Sequence, residues 1–262
     1  MIRNIIDCHT HLDDDRLFNN REEVVKLSKE NNVKYILNTA DSLSSFSKVE
    51  QLSREFKGYS YSVIGIHPEY ALYDEEYFSL AYKYIYKNKD KIKAIGEIGL
   101  DYHYSKDEKV ILNQKKRFIQ QIKIAQELDL PIVIHARDSL NDVYSILKES
   151  SIKKAYLHCF SGSKEQFKQF IKLPIDIKFG IGGVITFKNS RVLKEIVESE
   201  DLKYFLTETD APYLAPTPFR GQVNMPSLLP YIIKEIALIK NKDEEEVSEI
   251  LFNNGVNYYG IK

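Results

Sequence analysis

Short runs of β-branched and aliphatic residues alternate along the chain with longer segments whose apolar positions recur every three or four residues. The short runs cover 3–8, 33–39, 59–66, 92–98, 132–136, 155–160, 175–180 and 204–209 and read as strands. Helical periodicity covers 22–31, 108–128, 139–148, 164–171, 190–198 and 227–239, with a last helix near 244–253. The longest helix places Ile111, Leu112, Phe118, Ile119, Ile122, Ala125 and Leu128 at offsets near three and four, and it stops at Leu130-Pro131. Strands separated by helices predict a parallel sheet, because parallel neighbours need a crossover connection. Eight strands in 262 residues predict a (β/α)8 TIM barrel, one α/β domain over 1–262. The competing architecture is an open doubly wound sheet. That fold more often carries a glycine-rich phosphate loop after its first strand, whereas this strand ends Asp7-Cys8-His9-Thr10-His11.

Composition narrows the function classes. The net charge of −1 excludes a broad basic surface of the kind that tracks a nucleic-acid backbone. The two cysteines, Cys8 and Cys159, make no disulfide framework and suit a reducing, cytoplasmic setting. No apolar run is long enough for a membrane span, and the opening MIRNIIDCHTHL lacks the apolar stretch of a secretory leader.

The six histidines change the picture most. Five stand at strand C-termini: His9 and His11 after the first, His67 after the third, His135 on the fifth and His158 on the sixth. The sixth, His103, follows the fourth strand, and none falls in a predicted helix. In a barrel these strand ends form one rim, where active sites lie. Strand alternation predicts that Asp7, His9 and His11 share one face, with Cys8 and Thr10 on the other. Glu97 and Asp210 end the fourth and eighth strands. Imidazole with carboxylate suits Zn, Mn, Fe or Co better than Ca; Mg is less natural beside several histidines. Four histidines and two acids suffice for two divalent ions with a bridging carboxylate, and Glu97 is placed to bridge. Asp210 can both ligate and take a proton from water.

The residues now on the page resemble the TatD family of metal-dependent hydrolases, within the amidohydrolase-like barrels. The matches run the length of the chain: DCHTHL at 7–12, GIHP at 65–68, AIGEIGLDY at 94–102, PIVIHARD at 131–138, HCFSGS at 158–163 and TETDAPYLAP at 207–216. The resemblance implies a metal-dependent DNase, a 3′ to 5′ exonuclease on single-stranded DNA, acting in the cytoplasm. It also implies that His9, His11 and Asp210 hold one metal, that His135 and His158 hold the other, and that Glu97 bridges. His67, His103 and Arg220 would then stand near the substrate. Where the family usually reads Arg-Asn-Glu-Pro after the eighth strand, this chain has Val223-Asn224-Met225-Pro226. The alternative functions are a D-aminoacyl-tRNA deacylase and a small-molecule amide or ester hydrolase. Many of the latter bridge their metals with a carboxylated lysine on the fourth strand, but Lys93 lies deep on that strand. DNA ends are the expected partner; no obligate protein partner is evident.

The neighbours have expected parts too. Asp101 and Glu208 read as buried groups that orient ligands. Arg137 faces the rim, where its planar fork suits a phosphate. Cys8 and Cys159 read as small buried residues turned away from the metals. Tyr82, Tyr84 and Tyr86 follow a period of two and read as packing rather than as a base-stacking platform.

Overall fold

The computed structural model describes residues 2–261. Eight parallel strands, β1 (Ile5–Thr10), β2 (Val33–Thr39), β3 (Ser60–Ile64), β4 (Ile92–Asp101), β5 (Ile132–Arg137), β6 (Lys154–Leu157), β7 (Asp176–Ile181) and β8 (Phe205–Thr207), lie side by side in chain order. Beyond β8 the chain meets β1: Asp210 N donates to the His9 carbonyl at 3.0 Å and His11 N to that of Ala211 at 2.8 Å. The helices α1 (Asp15–Phe18), α2 (Arg21–Glu30), α3 (Phe46–Glu55), α4 (Glu75–Lys87), α5 (Glu108–Glu127), α6 (Leu140–Glu149), α7 (Lys164–Phe170), α8 (Arg191–Ser199), α9 (Leu229–Lys240) and α10 (Glu244–Tyr259) complete the TIM barrel expected from the pattern.

Two apolar layers hold it. Outward residues such as Ile5, Ile36, Ile64 and Ile95 pack against the helices through Val25, Val49, Phe78 and Phe118. Ile6, Cys8, Leu37, Val63, Ala94, Val133, Tyr156 and Leu206 fill the barrel interior. The end of α10 joins them: the Tyr258 hydroxyl donates to the Ile132 carbonyl and the Tyr259 hydroxyl to that of Cys8, each at 2.8 Å. These bonds cap the N-terminal mouth and leave the opposite rim for chemistry.

Three sequence expectations need correction. Helices α3 and α4 occupy segments where the periodicity marked none. In α4 the buried stripe is Phe78, Ala81 and Ile85, and the period-two tyrosines flank it. Their hydroxyls reach neighbouring elements, Tyr82 to Gln120, Tyr84 to Glu50 and Tyr86 to Glu127, so they are packing groups as expected. Helix α10 runs past residue 253 to Tyr259. Gly255 sits inside it, where a Cβ would lie 2.8 Å from Cys8 Sγ and from Ile6. Finally, strict alternation fails in β1. Ile6 and Cys8 face the barrel interior as alternate residues should, but the pairing with β2 slips between Asp7 and Thr10, so Asp7 turns toward Thr209 past β8 and does not share a face with the histidines.

Candidate metal centre

Irregular backbone aims the side chains at the rim. On β4, Ile95 and Ile98 both pack outward although three residues apart, because the β4–β5 register shifts between them. That shift turns Glu97 into the lumen, where strict alternation from Ala94 would have placed Gly96. Gly99 then lets β4 close on β5. Its φ is +143°, and a Cβ would lie 2.0 Å from the His135 carbonyl oxygen. On β5 and β6 alternation holds, so His135 and His158 follow Val133 and Tyr156 inward. Asp210 stands just past β8 at φ +55°.

The six expected ligands converge. His9 Nε2 and His11 Nε2 are 3.1 Å apart, and each is 3.5 Å from both Glu97 Oε2 and Asp210 Oδ1. On the other side, Glu97 Oε1 lies 2.6 Å from His158 Nε2 and 2.8 Å from His135 Nδ1. The His9 and His158 rings stack at 4.1 Å. The hydrogen bonds fix tautomers. His11 Nδ1 donates to the Thr39 carbonyl at 2.8 Å, which leaves a lone pair on Nε2. His135 Nε2 is 2.9 Å from Asp101 Oδ2, so Nδ1 is the nitrogen that faces Glu97. His158 Nδ1 is buried with no partner. Lone pairs and carboxylate oxygens gathered around two points, with Glu97 between them, form a donor set that fits divalent cations.

The electrostatics agree. Burial opposes the imidazolium form, but hydrogen bonds to neighbouring carboxylates outweigh it. The pKa of His11 rises to about 9 beside Asp210, that of His135 to about 9 beside Asp101 and Glu97, and that of His9 well above its usual value. Burial alone would raise the carboxylates. The imidazoles, led by His158 for Glu97 and His11 for Asp210, instead hold both well below the usual range. The cluster therefore keeps its negative charge by holding protons that a cation would displace.

His67 joins the cluster differently. Its ring meets that of His135 edge-on at 4.4 Å, and Nε2 is 3.8 Å from Glu97 Oε1. Nδ1 accepts from Glu69 N at 3.3 Å, so Nε2 carries the proton and faces the site as a donor. Burial, then the charge of His135, lowers its pKa to about 3 and keeps it neutral. His103 is half exposed on the rim, 3.5 Å from Asp138 and edge-on to Tyr104. Arg220 is not drawn in: its guanidinium lies over the Phe187 ring at 4.2 Å, on the loop after β8. Arg137 does reach the rim, where it bonds the Tyr104 hydroxyl at 3.3 Å.

The supporting groups divide. Asp101 orients His135 as expected, and Glu208 is fully buried, accepting from Cys159 N at 2.6 Å and from the Tyr156 hydroxyl. Asp7 does not face the metals: it accepts from Thr209 N at 3.0 Å and Thr209 Oγ1 at 2.6 Å. Cys8 is buried as expected, but Cys159 is a correction. Its φ of +44° breaks the alternation, and Sγ lies 3.7 Å from Asp210 Oδ2. Sequence reasoning missed the Thr39 carbonyl, the exposed rings of Tyr104 and Tyr213, and Asn224. Buried Asn224 donates to the carbonyls of Thr209 and Tyr213 and so ties down the loop that bears Asp210. Only the position of Thr39 at a strand end signalled it. On β4, Lys93 points to the far mouth and donates to the Gly260 carbonyl at 3.2 Å.

Comparison with known proteins gives a consistent result. A family model described as TatD related DNase matches residues 6–260. The chain is 36% identical over 259 residues to the uncharacterized metal-dependent hydrolase YabD of Bacillus subtilis, covering 98% of this chain and 99% of that one. It is 31% identical over 265 residues to YcfH of Escherichia coli, likewise an uncharacterized metal-dependent hydrolase, covering 98% and 96%. Among solved structures, the TatD homologue YJJV of Escherichia coli superposes with a TM-score of 0.91 at 26% identity, over 100% of both chains.

Proposed function

The chain belongs to the TatD related DNase family of metal-dependent hydrolases, and from that premise we propose that it hydrolyses terminal phosphodiester bonds of single-stranded DNA in the cytoplasm, in the 3′ to 5′ direction. The observation that carries this reading is the meeting of two ligand groups on Glu97. His9, His11 and Asp210 would hold one divalent ion, His135 and His158 the second, and Glu97 both. Two such ions, of Zn, Mn, Co, Fe or Mg, would supply Lewis acidity there, lowering the pKa of water toward neutrality and polarising a phosphoryl oxygen. Asp210, held ionised by its histidines, takes the proton from the attacking water. Neutral His67 offers its Nε2–H as a hydrogen-bond donor to a phosphoryl oxygen. Arg137 offers a planar fork to the adjoining phosphate, while His103 and Arg220 contact the strand farther from the cut.

The position of Lys93 at the far mouth supports this over the amide hydrolases that use a carboxylated lysine. The test is a metal-supplemented assay with 3′- and 5′-labelled single-stranded DNA beside a D-aminoacyl-tRNA. Nucleotides released from the 3′ end are expected. Deacylation without nucleotide release would overturn the substrate.

A further inference from the structure

A second cleft opens from the metal cluster on the side away from Asp13 and Glu69. Its volume is about 620 Å³, against about 370 Å³ for the acidic cleft, and the two share His135, His158 and Asp210. Its lining is mixed: Phe160, Val184, Val192, Leu193 and Leu214 make apolar walls, while Asn189 and Arg191 add polar groups and Arg137 is shared with the acidic cleft. Val192 and Leu214 are 49% and 41% exposed, so apolar surface stands open to solvent beside the reaction centre. That is an arrangement that proteins keep for a ligand.

The wall is also built with care. Leu214 stands only four residues after Asp210, in the left-handed region at φ +54°. Its carbonyl lies where a Cβ of Gly183 would come within 2.0 Å, so only glycine lets the two loops meet. Thr217 N donates to Thr186 Oγ1 at 2.8 Å, and Asn224 holds the Tyr213 carbonyl at 2.7 Å. Backbone strain persists only where the surroundings enforce it, and here they fix an apolar side chain beside a proposed metal ligand.

We propose that this cleft seats the terminal nucleoside of the strand, its base between Leu214 and the α8 wall, so that the bond presented to the metals is the last phosphodiester. The inference rests on the phosphodiesterase reading. A base has two apolar faces and a polar edge, which suits these walls with Asn189, and the volume is in the range that holds one small ligand. Binding one nucleoside there would make cleavage proceed a nucleotide at a time.

The test is calorimetric binding of dAMP and of 2-deoxyribose 5-phosphate to the metal-loaded full chain. dAMP is expected to bind at least about tenfold more tightly, since only it buries a base. Val192→Trp, which narrows the cleft, should bring dAMP down to the sugar phosphate with metal content unchanged. Leu214→Ala, which removes a wall, should weaken dAMP several-fold. Equal affinity for the two ligands in the wild type, or wild-type dAMP affinity in both variants, would overturn the assignment. Cleavage of single strands with no preference for a terminal nucleoside over an abasic end would also sink it, and would leave the phosphodiesterase reading standing. A base preference in a protein that cuts no oligonucleotide would refute that reading and support the cleft.

Discussion

Replacing Asp101 by Asn tests how the centre holds its histidines. The Asp101 carboxylate has two tasks: Oδ1 accepts from His103 N at 2.8 Å and Oδ2 meets His135 Nε2 at 2.9 Å. Asparagine keeps one acceptor and gains a donor, so one of these bonds is lost. If it is the bond to His135, Nε2 loses a charge-assisted partner, and the ring is no longer fixed with Nδ1 toward Glu97. A hydrogen bond to a charged group contributes roughly 1.5–3 kcal/mol. At about 1.4 kcal/mol per decade that is roughly 10- to 100-fold in affinity for the second ion, the size seen when such orienting groups are removed. The assay is competition with a chromophoric chelator, with thermal unfolding of the metal-free protein as control. The ion proposed to sit on His9, His11 and Asp210 should bind as before. Affinities within a factor of two of wild type at both sites would refute the reasoning.

Metal binding at pH 7 should release protons, because the pKa values of His11 and His135 are raised to about 9 in the metal-free centre. Affinity should therefore rise with pH up to about 9; calorimetry in buffers of different ionisation enthalpy reads the release, and an unchanged heat would contradict it. Gly180→Ala should cost about 2–4 kcal/mol in denaturant unfolding, since its Cβ would lie 2.4 Å from Glu208 Oε1 and force a buried carboxylate off its donors. Wild-type stability would show that β7 yields at that point. Tyr259→Phe should lose about 1 kcal/mol, the net worth of its bond to the Cys8 carbonyl, without altering metal affinity. A changed metal affinity would mean that the capped mouth and the rim are coupled.

The barrel was legible because its strands are short apolar runs of the kind buried on both faces, and because α5 is long and periodic, although its buried face also takes in Gln114, Arg117 and Gln121 while Leu112 and Ile119 stay exposed. The convergence of these side chains was legible because chemistry restricts residue type: His and acid at strand ends have few other uses in such numbers. What failed to show depends on backbone departures. The shift between Ile95 and Ile98 puts Glu97 in the lumen, and the slip after Asp7 keeps Asp7 from the metals. No side-chain pattern announces either one. The left-handed Cys159 and Leu214 likewise follow from tertiary packing, and so does a helix α10 that continues through Gly255 to fill the barrel floor. Thr39 acts through its carbonyl, which any residue carries.

Glu97 is the group proposed to be shared by two ions. Metal titration of the metal-free protein, counted by elemental analysis and set beside single-strand cleavage, tests this in wild type and Glu97→Gln. The expected result is two ions per wild-type chain, at most one tightly held in the variant, and cleavage reduced by at least about a hundredfold, the order lost when one electrostatic group of an active site is removed. A variant that still binds two ions tightly and cuts at the wild-type rate would contradict the shared-carboxylate centre.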